Sequence, residues 1–183
     1  MKPYDYVLLK GFNRPSQDIA IDLIHAATGQ RLPLPKIKFG RARPIDQRTD
    51  VVDDEDSFVP VEIDEDYDHR FPGNNGFLYR RIPLSLLTQN RTLQINPPAE
   101  EFYLHDVLDQ INQQLSAQLT AEDVVNKRLD LRMTEIRLQA TTHSLVWMDT
   151  ATTAATIYHQ LRILRTTQDG LVRDTGTGAL RTL

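Results

Sequence analysis

The chain has 183 residues, 40% of them hydrophobic and 25% charged, with no cysteine and a formal net charge of -4. That is the make-up of an ordinary globular domain able to bury a core, and it excludes a disulfide framework, a thiolate zinc site and a cysteine nucleophile. The negative balance argues against a general nucleic-acid binder, and no stretch approaches the roughly 20 apolar residues of a membrane helix.

The opening MKPYDYVLLKGFNRP has no long apolar run, because Asp5 and Lys10 interrupt it, so no signal peptide is expected. The lack of cysteine fits synthesis and assembly in a reducing cytoplasm. Tyr4 to Phe12 is rich in β-formers and broken by Gly11 to Pro15, which predicts an opening strand or an extended arm. A helix starts at Pro15-Ser16, with Ser16 as N-cap and Asp18 in its first turn. Ala20, Ile21, Leu23, Ile24 and Ala27 form its apolar face, and Gly29 stops it.

Leu32 to Phe39 (LPLPKIKF) alternates, but its two prolines restrict it to a sheet edge. Charge then segregates. Arg31, Lys36, Lys38, Arg41, Arg43 and Arg48 face only Asp46, whereas Asp50 to Asp68 holds no Lys or Arg and is dominated by Asp and Glu. Adjacent blocks of opposite sign suggest head-to-tail contact between copies, or a charged partner; a neutralised hairpin on a solvated face is the plainer alternative. Arg41 to Ser57 reads as a loop, and Phe58 to Asp64 as an acidic strand with Val59, Val61 and Ile63 on one face. Tyr67 to Gly76 is dense in turn residues and ends in the hairpin signal Asn75-Gly76. Phe77 to Leu87 and Thr92 to Asn96 follow as strands.

The strongest periodicity lies between Pro98 and Val125. Leu104, Val107, Leu108, Ile111 and Leu115 share one helix face, polar residues fill the other, and Glu100 and Glu101 crowd the start. Thr120 and Asp123 suggest a loose cap for a second short turn, with Leu119, Val124 and Val125 folding back under the helix. Setting Leu32 against Leu119 aligns this segment with the first helix, pairing Asp22 with Asp109 and Ile24 with Ile111. Such a match signals either an internal repeat or the ordinary likeness of amphipathic helices. Beyond it, Leu129 with Leu131, and Ile136 with Leu138 and Ala140, alternate as strands. Leu145 to Met148 is a compact apolar run around the single Trp, and Thr156 to Leu164 leans towards strand over helix. Asp169-Gly170 marks a turn, and the Gly/Thr-rich end from Arg173 is expected as a loose tail that orders on contact.

The common arrangements of catalytic residues are missing. The five histidines form no HxH or HExxH pattern, and no GxSxG elbow, P-loop or GxGxxG fingerprint occurs. The acidic runs Asp53 to Asp56 and Asp64 to His69 lack the glycine and closing Glu of a calcium loop. Phe77, Tyr79 and Arg81 would share a strand face, the arrangement that stacks single-stranded bases, or would be core residues of a buried strand. No catalytic residue, metal ligand or cofactor site is therefore assigned.

Four fragments in series carry a resemblance: Leu78 to Leu84 (LYRRIPL), Leu108 to Asn112 (LDQIN), Leu119 to Val125 (LTAEDVV), and Leu138 to Ala140 with Ser144 to Trp147 (LQA, SLVW). Together they resemble a module of virion structural proteins of large tailed bacteriophages, often repeated in tail, fibre or baseplate components. It covers roughly residues 75 to 157 and contributes no catalytic residues. That module tends to place a glycine after the closing aromatic, where this chain has Met148-Asp149. The resemblance implies a particle component, located in the virion after synthesis in the host cytoplasm, that binds other virion structural proteins or copies of itself.

The expected fold is α+β: antiparallel β-structure with two amphipathic helices packed on it and extended terminal arms. It forms a single domain over 1–183, with a subdivision at 1–74 and 75–183. Candidate partner-contact residues are Tyr4 and Tyr6 in the arm, the charge-opposed Arg41 and Arg43 with Asp53 and Glu55, and Arg173 in the tail. No membrane or nucleic-acid partner is expected. Two alternative functions stay open: a cytoplasmic metal-dependent hydrolase using the acids of 53–68, and a single-stranded nucleic-acid adaptor.

Overall fold

The computed structural model describes residues 5–30, 32, 37–45, 55–63, 76–158, 164–166 and 172–174. The fold is α+β, as the periodicities predict, but its first element corrects the sequence reading. Asp5–Lys10 is a helix, α1, and not a strand or arm. Tyr and Val favour strands only weakly against tertiary context. Here Val7 is buried and Lys10 reaches Asp22 on the next helix, which holds the turn helical. Gly11, at φ 75, ends it in the left-handed conformation that glycine adopts without strain.

Helix α2, Ser16–Thr28, runs as predicted and ends at Gly29, whose φ is 73 and whose amide donates to the His25 carbonyl. Its N-cap is Pro15, because the Ser16 hydroxyl is engaged elsewhere. The helix buries Ile19, Ala20, Leu23 and Ile24.

Strand β3, Ser57–Ile63, is the centre of the first sheet. Along one edge it pairs with β1, Ile37–Phe39, and then β2, Arg43–Pro44; along the other it pairs with β4, Gly76–Tyr79, all antiparallel. The predicted loop after Arg41 thus contains a short strand. The predicted strand Phe77 to Leu87 is interrupted after Tyr79. The Arg81 amide donates to Asp56 Oδ1 at 3.1 Å, so the backbone leaves the ladder there. Two residues, Ile82–Pro83 (β5), then pair parallel with β10, Trp147–Met148, and Ser85–Thr88 forms a short helix, α3.

The second sheet has the order β6-β11-β9: Thr92–Ile95 lies parallel, and Glu135–Gln139 antiparallel, to the central Thr150–Ile157. Of the strand predicted over Thr156 to Leu164, Thr156 and Ile157 end β11, which begins at Thr150, and Leu164 opens a later strand; Tyr158 lies in neither, and 159–163 lie outside the described residues. Between the sheets' strands, β7 (Glu101–Tyr103) pairs with β8 (Arg128–Asp130). The long helix predicted from Leu104 is split. Leu104–Val107 is a 3-10 turn, and α4 is Leu108–Leu115, ended by Ser116 at φ 53. Glu101 lies on β7 and so does not cap the helix; Asp106 Oδ2 instead accepts the Tyr103 amide at 2.7 Å. Leu164–Thr166 (β12) and Val172–Asp174 (β13) pair across the predicted Asp169-Gly170 turn; residues 175–183 and the turn itself lie outside the described residues.

One hydrophobic cluster runs from Val7 to Ala155 and joins both halves of the chain, with Trp147, Tyr79 and Phe102 its largest fully buried members. Phe12 meets Trp147 edge-on at 5.3 Å between centroids. The aligned segments behave alike in one respect: α2 and α4 each end in a left-handed residue, Gly29 and Ser116, followed three residues later by a buried leucine, Leu32 and Leu119. Among the described residues, no helix is long and apolar enough to cross a membrane.

Candidate functional site

Asp123 is 2% exposed and lies where three distant segments meet. Its Oδ2 accepts hydrogen bonds from Ser16 Oγ at 3.0 Å, the Thr120 amide at 3.0 Å and Thr120 Oγ1 at 2.8 Å; its Oδ1 accepts one from Ser144 Oγ at 2.7 Å. A buried carboxylate needs such donors to offset its lost hydration, and bonds to an ionised acceptor are the stronger kind. The Thr120–Asp123 pair is the cap predicted from the spacing, extended to α2 and to the loop after β9. Ser144 Oγ also accepts the Trp147 amide at 3.1 Å, so this one hydroxyl sets the turn that drives Trp147 into the core.

Two further groups grip the same loop. Arg81, 6% exposed, donates from Nη1 to the carbonyls of Thr142 and Ser144, each at 3.3 Å. Tyr79 donates its hydroxyl to the Leu145 carbonyl at 2.6 Å, and burial pushes its phenol far above the usual tyrosine range. On the other flank, Asn112 Nδ2 donates to the Leu119 carbonyl and Oδ1 accepts the Leu119 amide, both at 2.8 Å. Each of the four motif fragments therefore sends at least one polar residue to one junction: Tyr79 and Arg81, Asn112, Thr120 and Asp123, and Ser144. Leu119, Val124 and Trp147 fill the apolar space beside it.

This arrangement holds a loop in place. Ser144 is buried, its hydroxyl donates to a carboxylate with no imidazole between them, and His143 turns its Nδ1 to the Ala42 carbonyl at 3.1 Å. A nucleophile requires an approach for substrate as well as a base, and burial leaves Ser144 without that approach. Of the two readings of Phe77, Tyr79 and Arg81, the structure has the core one: all three are buried, so in this fold none offers a face to a base. Among the described residues no group of three or more His, Asp or Glu is placed to hold a metal ion. The acids at 53, 54, 64–66 and 68 lie outside the described residues.

Above the junction is an open groove of about 500 Å³, lined by Gln17, Phe39, Arg41, Glu122, His143 and Leu145 among others. Arg41, a predicted contact residue, is exposed on its rim. Arg43 lies on β2 with its guanidinium carbon 4.8 Å from the Phe58 ring centroid, a cation–π contact. Glu55 is half-buried, and desolvation raises its carboxyl above the ordinary range; neither arginine forms an ion pair with it among the described residues. Tyr4 and Asp53 lie outside the described residues, as do the side chains of Tyr6 in α1 and Arg173 in β13. Sequence reasoning missed the exposed apolar side chains Leu8 and Leu9 on α1, Tyr103, Met133 and Tyr158. The first pair was hidden by reading α1 as extended.

No curated protein and no solved structure matches the chain. A family model with the description "Family of unknown function (DUF7941)" matches residues 10–160, from the end of α1 past β11 and through the whole junction. With most of its length under that match, the chain belongs to the DUF7941 family.

Proposed function

We propose that the chain is a structural component of a tailed-bacteriophage virion, in the tail, baseplate, neck or capsid surface, acting by protein–protein assembly and not by catalysis. The observation that carries this reading is the series of motifs from Leu78 to Trp147 that resembles the phage module. Its polar residues, Asn112, Thr120, Asp123 and Ser144, are committed to backbone and to one another, as suits a module that supplies shape. Exposed Leu8 and Leu9, the second at 79%, offer apolar surface on α1 for a neighbouring subunit. Other virion proteins and further copies of the chain are its partners in this reading, and the assembled particle is its location.

Mass spectrometry of density-banded particles of the phage that encodes the chain tests the reading. The protein is expected in the particle band at a fixed ratio to other structural proteins. Its presence in the lysate but not in banded particles would sink the proposal.

A further inference from the structure

The two edges of the β6-β11-β9 sheet are treated differently. Along the β6 edge, the side-chain amides of Gln114 and Gln110 occupy the outward backbone groups of Gln94 and of Asn96, the residue after the strand. On β9 the Ala140 amide donates to the Asp149 carbonyl and the Ala155 amide to the Thr134 carbonyl. In an antiparallel ladder the bonded pairs alternate, so Ile136 and Leu138 point their backbone groups towards β11 while Glu135, Arg137 and Gln139 point theirs away. The segment 123–125 covers that edge at Gln139 and Thr141, through Val125 N to Gln139 O and Thr141 N to Asp123 O. At Glu135 and Arg137 no strand pairs with it among the described residues.

We propose that a second copy of this chain docks on β9, the two β9 strands running antiparallel about a two-fold axis at Ile136. In that register Glu135 stands opposite Arg137 of the second copy, and Arg137 opposite Glu135 of the second copy. Both are bonded-type pairs, because the outward backbone groups on each strand belong to these residues, so the contact closes with four backbone hydrogen bonds. It also forms two cross-strand pairs of opposite charge. The result is one continuous sheet in the order β6-β11-β9-β9-β11-β6, with its outer edges capped by Gln110 and Gln114 of each copy.

Charge on an edge strand ordinarily discourages pairing. Here the two signs sit two residues apart, so the strand repels many partners in most registers and complements itself in one. Ile136 and Leu138 are buried and Glu135 and Arg137 exposed, which leaves the charged pair free to form without disturbing the core. The contact is isologous and closes a two-fold dimer, the commonest form of soluble oligomer. The inference rests on the sheet edge alone and does not depend on a role in a phage particle.

Sedimentation equilibrium of the full chain tests it. The wild type is expected at twice the 21.0 kDa chain mass. Glu135→Arg alone sets Arg against Arg and Arg137→Glu alone sets Glu against Glu, so each is expected to yield monomer with an unchanged circular dichroism spectrum. The double swap Glu135→Arg/Arg137→Glu restores opposite charges and is expected to restore the dimer. A wild type that stays monomeric up to millimolar concentration overturns the proposal, as does a dimer that survives both single reversals.

Discussion

The side-chain amide of Gln114 pairs with both backbone groups of Gln94, accepting its amide at 2.7 Å and donating to its carbonyl at 2.8 Å. One turn earlier Gln110 does the same to Asn96, both bonds at 2.8 Å. The two glutamines, four residues apart on α4, match Gln94 on β6 and Asn96 just past its end, two residues apart. One helix face therefore stands in for the strand that would otherwise complete the sheet edge. Replacing both with Ala removes four exposed hydrogen bonds. At the low end of about 0.5–1.5 kcal/mol each, the double variant is expected to be roughly 2 kcal/mol less stable. It also uncovers a strand edge, a template for aggregation. Urea unfolding and light scattering on warming check the two effects; a double variant with wild-type midpoint and scattering would show that the amides do not guard the edge.

Asp123 gives a sharper test of the junction. Asp123→Ala leaves the hydroxyls of Ser16, Thr120 and Ser144 without their acceptor, that of Ser144 in a buried site, and is expected to destabilise by about 2–4 kcal/mol. Asp123→Asn keeps the shape and one acceptor oxygen but points an NH2 group at donors, so it is expected to recover only part of the loss. The fluorescence of Trp147, the single tryptophan, reports the same event. Its edge contact with Phe12 and its anchor at Ser144 both depend on the loop, so a red-shifted emission is expected in the Ala variant under native conditions. Unchanged emission would separate Asp123 from the placement of Trp147.

The elements that were legible in the sequence are those with strong apolar contrast. Helix α2, with Gly29 as its stop, and strand β3 follow the periodicity directly, and the Thr120–Asp123 spacing announces its hydrogen bonds. Strand β11 was not legible before Thr156. Its buried residues Ala151, Thr153 and Ala155 alternate with exposed Thr152, Ala154 and Thr156, so the pattern of period two is present but without difference in hydropathy. Helix α1 was lost because six residues carry too little periodicity to outweigh Tyr and Val, although Gly11 marked its end. The junction was half visible: Asn112, Asp123 and Ser144 stood out as motif letters, but nothing local to Ser16 or Arg81 indicates a partner some 60 to 110 residues away.

Acid should weaken the protein through Asp22. Burial alone would raise its carboxyl, but hydrogen bonds and charges from Lys10 and Arg14 outweigh that and hold it below the ordinary 3.8. With the folded value below the unfolded one, the group's contribution is complete above the unfolded value and is lost as pH falls through the folded one. Glu55 has the opposite sign. Its raised value means that ionisation opposes folding above it, and that opposition is relieved as pH falls through it. Urea midpoints measured from neutral pH to about pH 3 should therefore fall more steeply for Glu55→Gln than for wild type, and less steeply for Asp22→Asn. Parallel curves for wild type and Asp22→Asn would remove Asp22 as an acid-sensitive tie between α1 and α2.

The turn between β10 and β11 sets Asp149 at φ 66, in the left-handed region that glycine adopts without strain. The chain thus makes this turn with a residue that adopts it under strain. Asp is among the better-tolerated non-glycine residues there, yet its Cβ still crowds the neighbouring carbonyl. No side-chain hydrogen bond compensates among the described residues; only the backbone carbonyl is engaged, by the Ala140 amide at 2.9 Å. Asp149→Gly relieves that crowding, at the expense of a freer unfolded chain, and is expected to gain about 0.5–1 kcal/mol. Asp149→Val adds a β-branched side chain to the same conformation and is expected to lose about 1–2 kcal/mol. Both shifts read out as urea midpoints moving in opposite directions. A valine variant as stable as wild type would mean that this turn does not need the left-handed residue, and that β10 and β11 hold their places by pairing alone.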